Sequence, residues 1–163
     1  MQKHLKYGEK ADRALRMWVK LARASQTFGR LTDRHIQSFG LTEPQFAVLE
    51  CLGHLGPLTL GELTRKQLVS GGNITCVIDH LERDGLVTRR HPSDDRRKTV
   101  ASLTAKGMEL FDATFPRHAE YVASIASVLT AAEQEQLSRL LKKLGVTLAL
   151  KIHGSAVVSP RLE

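Results

Sequence analysis

Apolar side chains recur at helical spacing along most of the chain, and short polar segments separate the stretches that show it. Residues 10–39 place apolar side chains three or four positions apart among basic ones, without proline, which predicts one long helix. The same periodicity over residues 105–151 predicts two further long helices. Residues 153–163 show no period and are expected to form a flexible tail.

Shorter helices are predicted between the long ones. Residues 42–45 hold a threonine cap, an early proline and a glutamine three residues after the cap, which are successive signals of a helix start. Residues 59–62 repeat the capping pattern, and Ser70 caps a further helix over about 71–84. Four side chains of that helix share one face predicted to be buried: Ile74, Val77, Ile78 and Leu81. The last two of these helices are joined by a tight turn.

The pattern changes after Gly85. Residues 86–90 and 99–103 are short β-branched runs on either side of the polar stretch 91–98, which predicts a β-hairpin with a basic tip. The sequence therefore predicts a mainly α fold with a small β-hairpin.

The predicted elements form a single domain over 1–163, with a helix-turn-helix and hairpin lobe at 42–104. Helices 10–39 and 105–151 flank the lobe. A monomer would leave the apolar stripes of these flanking helices in water, so we expect them to hold together a homodimer.

Composition and charge narrow the possible classes of binding partner. The chain has 163 residues, few aromatics (5%) and a formal charge of +7, and a basic balance favours an acidic partner such as nucleic acid. Residues 1–40 hold nine basic and three acidic groups, which leaves only +1 for the other 123 residues. DNA binding must therefore be argued from local placement, and the basic N-terminal segment could equally be a solvated helix face.

The helix that begins after Ser70 is the candidate for reading DNA. A helix can enter the major groove with its N-terminus first, and small residues there allow close approach. Its predicted outward face also carries Asp79, which would either accept from a cytosine amino group or lie away from the phosphates. The candidate contacts are Ser70, Gly72, Asn73, Thr75, Cys76, His80 and Arg83. The alternative for each is a solvated surface residue.

The hairpin supplies a second group of candidates. It carries five basic side chains against two aspartates, so that it could reach along the duplex into the minor groove, where narrow A·T tracts attract arginine. The alternative is a plain basic turn. The candidate contacts are Arg89, Arg90, Arg96, Arg97 and Lys98.

Three runs together resemble the winged-helix signature of MarR-type transcriptional regulators: residues 86–89, 95–97 and 103–107. The similarity extends through 41–46, 70–86 and 137–145. It implies a cytoplasmic bacterial homodimer with one winged helix-turn-helix per subunit, which binds double-stranded DNA at a pseudopalindromic operator and usually represses. It further implies that the wing spans 89–98 and that Asp95 supports Arg97 at its tip.

Residues 70–75, 115–118 and 141–145 are more weakly similar to a branch of this family that responds to quinones or phenolic compounds. Family members generally take small aromatic or phenolic effectors between the dimerisation helices and the DNA-binding lobe. The corresponding groups here are Trp18, His35, Phe46 and His118. Ordinary core or surface positions are the alternative for all four.

Other functions have less support. An enzyme would need converging catalytic groups, and none is visible. Cys51 and His54 could supply two zinc ligands, but no second pair accompanies them, so neither a metal nor another cofactor is expected. Cys76 near a helix N-terminus could be a redox switch. The alternative of a different class is a winged-helix protein-interaction module that does not read DNA.

The compartment is predicted from what the chain lacks. It shows no signal peptide and no apolar run near the length that a membrane span needs, and its two cysteines form no spaced pair. A reducing cytoplasm without membrane contact is the expected location.

Overall fold

A computed structural model describes residues 7–67, 71–91 and 98–155. In this part of the chain the elements run α1 (Glu9–Gln37), α2 (Glu43–Leu55), β1 (Leu58–Thr59), α3 (Leu60–Gln67), α4 (Gly71–Arg83), β2 (Val87–Arg90), β3 (Val100–Leu103), α5 (Ala105–Ala126) and α6 (Ala131–Ser155). The mainly helical fold with a hairpin is confirmed. The predicted helix-turn-helix corresponds to α3 and α4.

Capping interactions place the helix starts where the sequence predicts them. Before α2, the backbone N–H and the hydroxyl of Thr42 both donate to Gln45 Oε1, at 2.9 and 3.0 Å. Before α3, the Thr59 hydroxyl donates to Glu62 Oε2 at 2.7 Å and accepts from the Glu62 N–H at 3.2 Å. In both places the side chain three residues later accepts the threonine N–H, and at Thr59 the hydroxyl also accepts an N–H of the first helical turn.

The sheet has three strands, one more than the predicted hairpin. It is antiparallel, in the order β1-β3-β2, with Leu58 opposite Ala101 and Arg90 opposite Val100. The prediction missed β1 because two residues are too few to show alternation. This short strand holds the chain before α3 against the hairpin.

The chain divides into two compact units, residues 1–121 and 122–163. In the first unit a core of buried apolar side chains joins the end of α1, α2, α3, α4 and the sheet, and Leu49, Leu63, Ile78 and Leu81 are at its centre. In the second unit α6 continues to Ser155, three residues into the segment without periodicity; residues 156–163 lie outside the described part.

Candidate nucleic-acid interface

Helix α4 has two faces of opposite character. Ile74 and Ile78 are 2% and 0% exposed and pack into the core, together with Val77 and Leu81. The other face is open to solvent, and carries Asn73, Thr75, Cys76, His80 and Arg83. This division is the one that the apolar spacing predicts. It leaves one face of the helix free to enter the major groove of a duplex.

The start of α4 lies partly outside the described residues. Gly72 lies in the first turn of the helix, where a residue without a Cβ allows a phosphate or a groove edge to approach the backbone. Ser70 falls outside the described part of the chain. The roles of both residues in DNA binding stay predictions.

An ion-pair cluster connects α4 to β2. Arg89 on β2 donates from Nη1 to Asp79 Oδ1 at 2.6 Å and from Nε to Glu82 Oε2 at 2.9 Å, and its Nη2 pairs with the same Glu82 oxygen. The backbone N–H of Arg89 also donates to Glu82 Oε1, at 3.2 Å. One guanidinium therefore fixes the first strand of the hairpin to the outer turns of α4.

The same contacts shift the pKa values of two members of the cluster, Glu82 and Arg89. The hydrogen bonds from Arg89 lower the pKa of Glu82 below its usual value, and the hydrogen bonds to Glu82 raise the pKa of Arg89. Asp79 is partnered here by Arg89. A contact of Asp79 with a cytosine amino group and a position away from the phosphates both stay open as predictions. The predicted contact of Arg89 with DNA competes with this intramolecular arrangement.

Residues 103–107 hold the far end of α4 in place. The Leu86 N–H donates to Leu81 O at 2.9 Å, and Gly85 adopts a φ of 70°, so that the helix ends in a left-handed turn. The Thr104 hydroxyl donates to Gly85 O at 2.7 Å, and the Lys106 ammonium donates to Asp84 O at 2.8 Å.

Gly107 completes this junction because only hydrogen fits there. A Cβ at this position would lie 2.0 Å from the carbonyl oxygen of Leu86. Residues 103–107, one of the three runs that resemble the winged-helix signature, thus fix the hairpin and α5 to the end of α4.

The base of the hairpin lies within the described residues and its tip does not. Arg90 and Lys98 are exposed, and His91 Nδ1 lies 3.3 Å from the carbonyl oxygen of Lys98. Asp95, Arg96 and Arg97 fall outside the described part of the chain. Their contacts with DNA, and the support of Arg97 by Asp95, stay predictions.

Three of the four predicted effector residues lie together. His35 on α1 and His118 on α5 place their Nδ1 atoms 3.2 Å apart, and the Phe46 ring is 4.7 Å from that of His118. Burial, and then the neighbouring His35, lower the pKa of His118. Tyr121 stacks on His35 with ring centroids 4.1 Å apart.

Trp18 does not belong to this cluster. It lies on α1 seventeen residues before His35, a distance of about 25 Å along the helix axis, and is 61% exposed. The structure therefore separates the predicted effector residues into a His35, Phe46 and His118 group and a distant tryptophan.

The remaining candidate chemistry is dispersed. The His54 ring packs edge-on against Phe111 and Phe115, with centroids 5.0 and 4.4 Å apart, on the same helix as Cys51. Among the described residues no three histidine, cysteine or acidic side chains form a group that could hold a metal ion. Every helix in the described ranges is too short or too polar to cross a lipid bilayer.

Two parts of this arrangement were not predicted from sequence. Asp79 and Glu82 are one helical turn apart on a helix that is expected to meet phosphates. Two neighbouring carboxylates on such a helix indicate that a basic side chain, here Arg89, neutralises them. Tyr121 is one turn after His118 and shares its helix face, which is a signal for adding it to the cluster. The stacking of Tyr121 on His35 depends on tertiary structure.

Comparison with known proteins agrees with this architecture. The sequence profile of the MarR family matches residues 41–99, which include the helix-turn-helix and most of the hairpin. The HTH-type transcriptional regulator MhqR of Bacillus subtilis is 36% identical over 135 residues, which are 83% of this chain and 93% of MhqR.

Two solved structures of related proteins share the fold. Reduced AbfR bound to DNA superposes with a TM-score of 0.70 at 26% identity, covering 89% of this chain and 99% of AbfR. BpsR of Bordetella bronchiseptica, whose DNA binding is described as regulated by 6-hydroxynicotinic acid, gives 0.69 at 27% identity over 84% of this chain and 99% of BpsR. The chain belongs to the MarR family and is a DNA-binding transcriptional regulator.

Proposed function

We propose that this chain is a homodimeric repressor that reads a pseudopalindromic operator with α4 and contacts the flanking minor groove with the β2–β3 hairpin. The observation that carries the proposal is the outer face of α4. Five side chains able to hydrogen-bond or to fit closely are exposed there, while the opposite face is fixed in the core. An anchored helix with such a face can present side chains to base edges.

The apolar surface that one chain leaves exposed supports a two-fold dimer. Trp18 on α1 is 61% exposed, Leu140 on α6 58% and Val146 on α6 55%. Association of two chains through α1 and α6 would remove this surface from water. The two α4 helices of the dimer would then enter half-sites one DNA turn, about 34 Å, apart.

The hairpin contributes charge and position. Arg90 and Lys98 are exposed at its base, and Arg96 and Arg97 are the predicted minor-groove contacts. Arg89 acts as a positioning residue, since its pairing with Asp79 and Glu82 sets the angle between hairpin and α4. The alternative of a protein-interaction module requires none of these charges.

Binding to the duplex upstream of the chain's own coding region tests the proposal, with competitor DNA present and at two salt concentrations. We expect tight, competitor-resistant binding. Asn73→Ala should reduce the preference for operator over random duplex by about 5-fold to 160-fold per half-site, the effect of one lost base contact of about 1–3 kcal/mol. Arg139→Ala, an exposed change on α6, is the control.

The outcomes separate the two classes of function. An operator preference that is identical in Asn73→Ala and wild type would exclude base reading through α4. Weak, competitor-sensitive binding to every duplex, including those selected from random sequence, would favour the protein-interaction module.

We further propose that a small aromatic or phenolic effector releases the repressor by binding near His35, Phe46 and His118. The aromatic rings at this place offer a stacking surface to a hydroxylated ring, and the imidazole nitrogens of His35 and His118 can form hydrogen bonds with its hydroxyl group. Hydroquinone and phenol should release the wild-type protein from DNA, and His118→Phe should require more of either compound. Unchanged release from His118→Phe would place the effector elsewhere.

Release by thiol modification is the second route. Cys76 is exposed on the face of α4 proposed to meet DNA, so that a bulky adduct there would block the groove. Treatment with 1,4-benzoquinone should then release wild type and leave Cys76→Ser bound. Equal release of both proteins would exclude Cys76 as the sensor.

A further inference from the structure

We propose that one face of α1 binds the phosphate backbone of duplex DNA, independently of sequence, as a second nucleic-acid surface beside that of α4. We call this face the basic stripe, and it consists of Arg16, Lys20, Arg23, Arg30 and Arg34. All five side chains are exposed. The inference rests on the DNA-binding role of the chain and adds a contact that neither α4 nor the hairpin provides.

The stripe follows from the spacing of its residues. Steps of three, four and seven positions keep the five side chains within an arc of about 80° at 100° per residue. The only other residue of this arc between Arg16 and Arg34 is Thr27, which is polar and exposed. One side of α1 is therefore an unbroken polar surface with five positive charges.

An apolar stripe occupies the opposite side of the same helix. Trp18, Leu21 and Phe28, at steps of three and seven positions, lie about half a turn away from the basic residues. If that side is buried between two chains, as proposed above, the basic stripe faces outward in the dimer. The surface that seals the dimer and the surface that carries the charge are thus separate.

The charge of the stripe is poorly compensated within α1. The helix has seven basic and three acidic residues, a net +4. Glu9 pairs with Arg13, outside the stripe, at 3.7 Å, and the carboxylate of Asp33 accepts from Gln37 at 3.0 Å. A solvated helix face commonly alternates charge, as α6 does with Glu135 four residues before Arg139.

The dimensions and chemistry fit the backbone of a duplex. Arg16 to Arg34 spans about 27 Å along the helix axis, more than the roughly 12 Å width of the major groove, so the stripe can contact phosphates on both sides of a groove. Four of the five cations are arginines, whose guanidinium can bond two phosphate oxygens at once. Helices that lie on a membrane surface also carry basic residues on one side and Trp, Phe and Leu on the other, so the test below includes anionic vesicles.

The test compares two triple variants that remove the same charge from the full-length protein. The stripe variant combines Arg16→Gln, Lys20→Gln and Arg23→Gln. The control combines three exposed changes on α6, Arg139→Gln, Lys142→Gln and Lys143→Gln. Glutamine retains helix propensity, and circular dichroism checks that both variants fold. Binding to a random duplex of about 30 bp is measured from about 50 to 200 mM salt.

We expect the stripe variant to lose about 2.7 from the slope of log K against log salt for each subunit whose stripe contacts the duplex, since three phosphate contacts of about 0.9 each are removed there. The control should keep the wild-type slope. A stripe variant with the wild-type slope overturns the inference, and so does an equal loss in both variants, because net charge alone would then explain the result.

Two further outcomes keep this inference separate from the proposed function. Stripe-dependent binding to phosphatidylserine vesicles with an unchanged DNA slope would overturn the DNA assignment in favour of a membrane surface. Operator preference is measured in parallel: its loss in Asn73→Ala tests α4, and the stripe variant should retain it. A chain without operator preference fails the proposed function while the slope comparison still decides the role of the stripe.

Discussion

The winged-helix lobe and the two long terminal helices bury their apolar side chains to very different extents. Among the residues that the structure describes, the fourteen buried apolar side chains all lie between Ile36 and Ala101. Over most of α1 and α6 large apolar side chains are instead exposed, with Trp18 at 61% and Leu140 at 58%. The lobe is therefore stabilised by its own core, whereas the long helices retain apolar surface for association.

This difference assigns separate physical tasks to the two regions. The lobe must hold α4 and the hairpin at a fixed angle, and the Arg89 cluster and the 103–107 junction add directional contacts to its core. In the proposed dimer the terminal helices would set the distance between the two lobes. Substitutions in the lobe should therefore change folding, and substitutions in α1 or α6 should change assembly.

The largest effect is expected from a cavity in the lobe. Leu81 is 0% exposed, and Leu81→Ala should lower the free energy of unfolding by about 2–5 kcal/mol because packing around the site relaxes only in part. Leu140→Ala on α6 should mainly weaken self-association. Urea unfolding and sedimentation of both variants measure the contrast, and equal destabilisation by the two changes would contradict it.

The next largest loss of stability is expected at Gly107, where an added side chain would collide with the backbone. Gly107→Ala would place a Cβ 2.0 Å from the Leu86 carbonyl oxygen, and we expect a loss of about 1–3 kcal/mol as the junction shifts. Gly145 on α6 has no atom within 4 Å of the same position, so Gly145→Ala should stabilise its helix by up to about 1 kcal/mol. Thermal unfolding of the two variants shows whether each is stabilised or destabilised. Stabilisation by both changes would contradict the close approach of Gly107 to the Leu86 carbonyl oxygen.

A capping contact that occurs in both regions permits a closer comparison. Thr59 at the start of α3 and Thr130 at the start of α6 make the same hydrogen bonds to a glutamate three residues later. Thr59→Ala should cost about 1 kcal/mol, because its cap is partly buried beside the sheet. Thr130→Ala, at an exposed cap, should cost less. Unfolding midpoints test the order, and a larger loss at Thr130 would reverse it.

Local signals explain how much could be predicted from the sequence. The capping residues at Thr42, Thr59 and Thr130 precede α2, α3 and α6 because each threonine bonds within its own first turn. The buried face of α4 follows from the spacing of four apolar residues. Both kinds of information lie within one or two helical turns and need no tertiary structure.

Contacts between distant segments explain what the sequence did not predict. The strand β1 exists because residues 58–59 pair with residues 100–101, more than forty positions away. The ion pairs of Arg89 with Asp79 and Glu82 were not predicted because the carboxylates reach Arg89 only after α4 and β2 pack together, and the contact of Arg89 with DNA stays a prediction. Trp18 and His35 share a helix, but its length separates them.

The smallest effect is expected from the His35–His118 pair, where the end of α1 meets α5. Burial, and then His35, lowers the pKa of His118, so the unfolded chain takes up a proton first as the pH falls below about 6.5. The stability that depends on neutral His118 is thus complete above the ordinary histidine pKa and is lost toward the lower pKa of the folded state. The midpoint of unfolding should be lower at pH 5 than at about pH 7.5 in wild type. In His118→Phe the difference between the two pH values should be smaller. His80→Gln, an exposed change on α4, should keep the wild-type dependence, and a His118→Phe profile parallel to wild type would show that another group controls it.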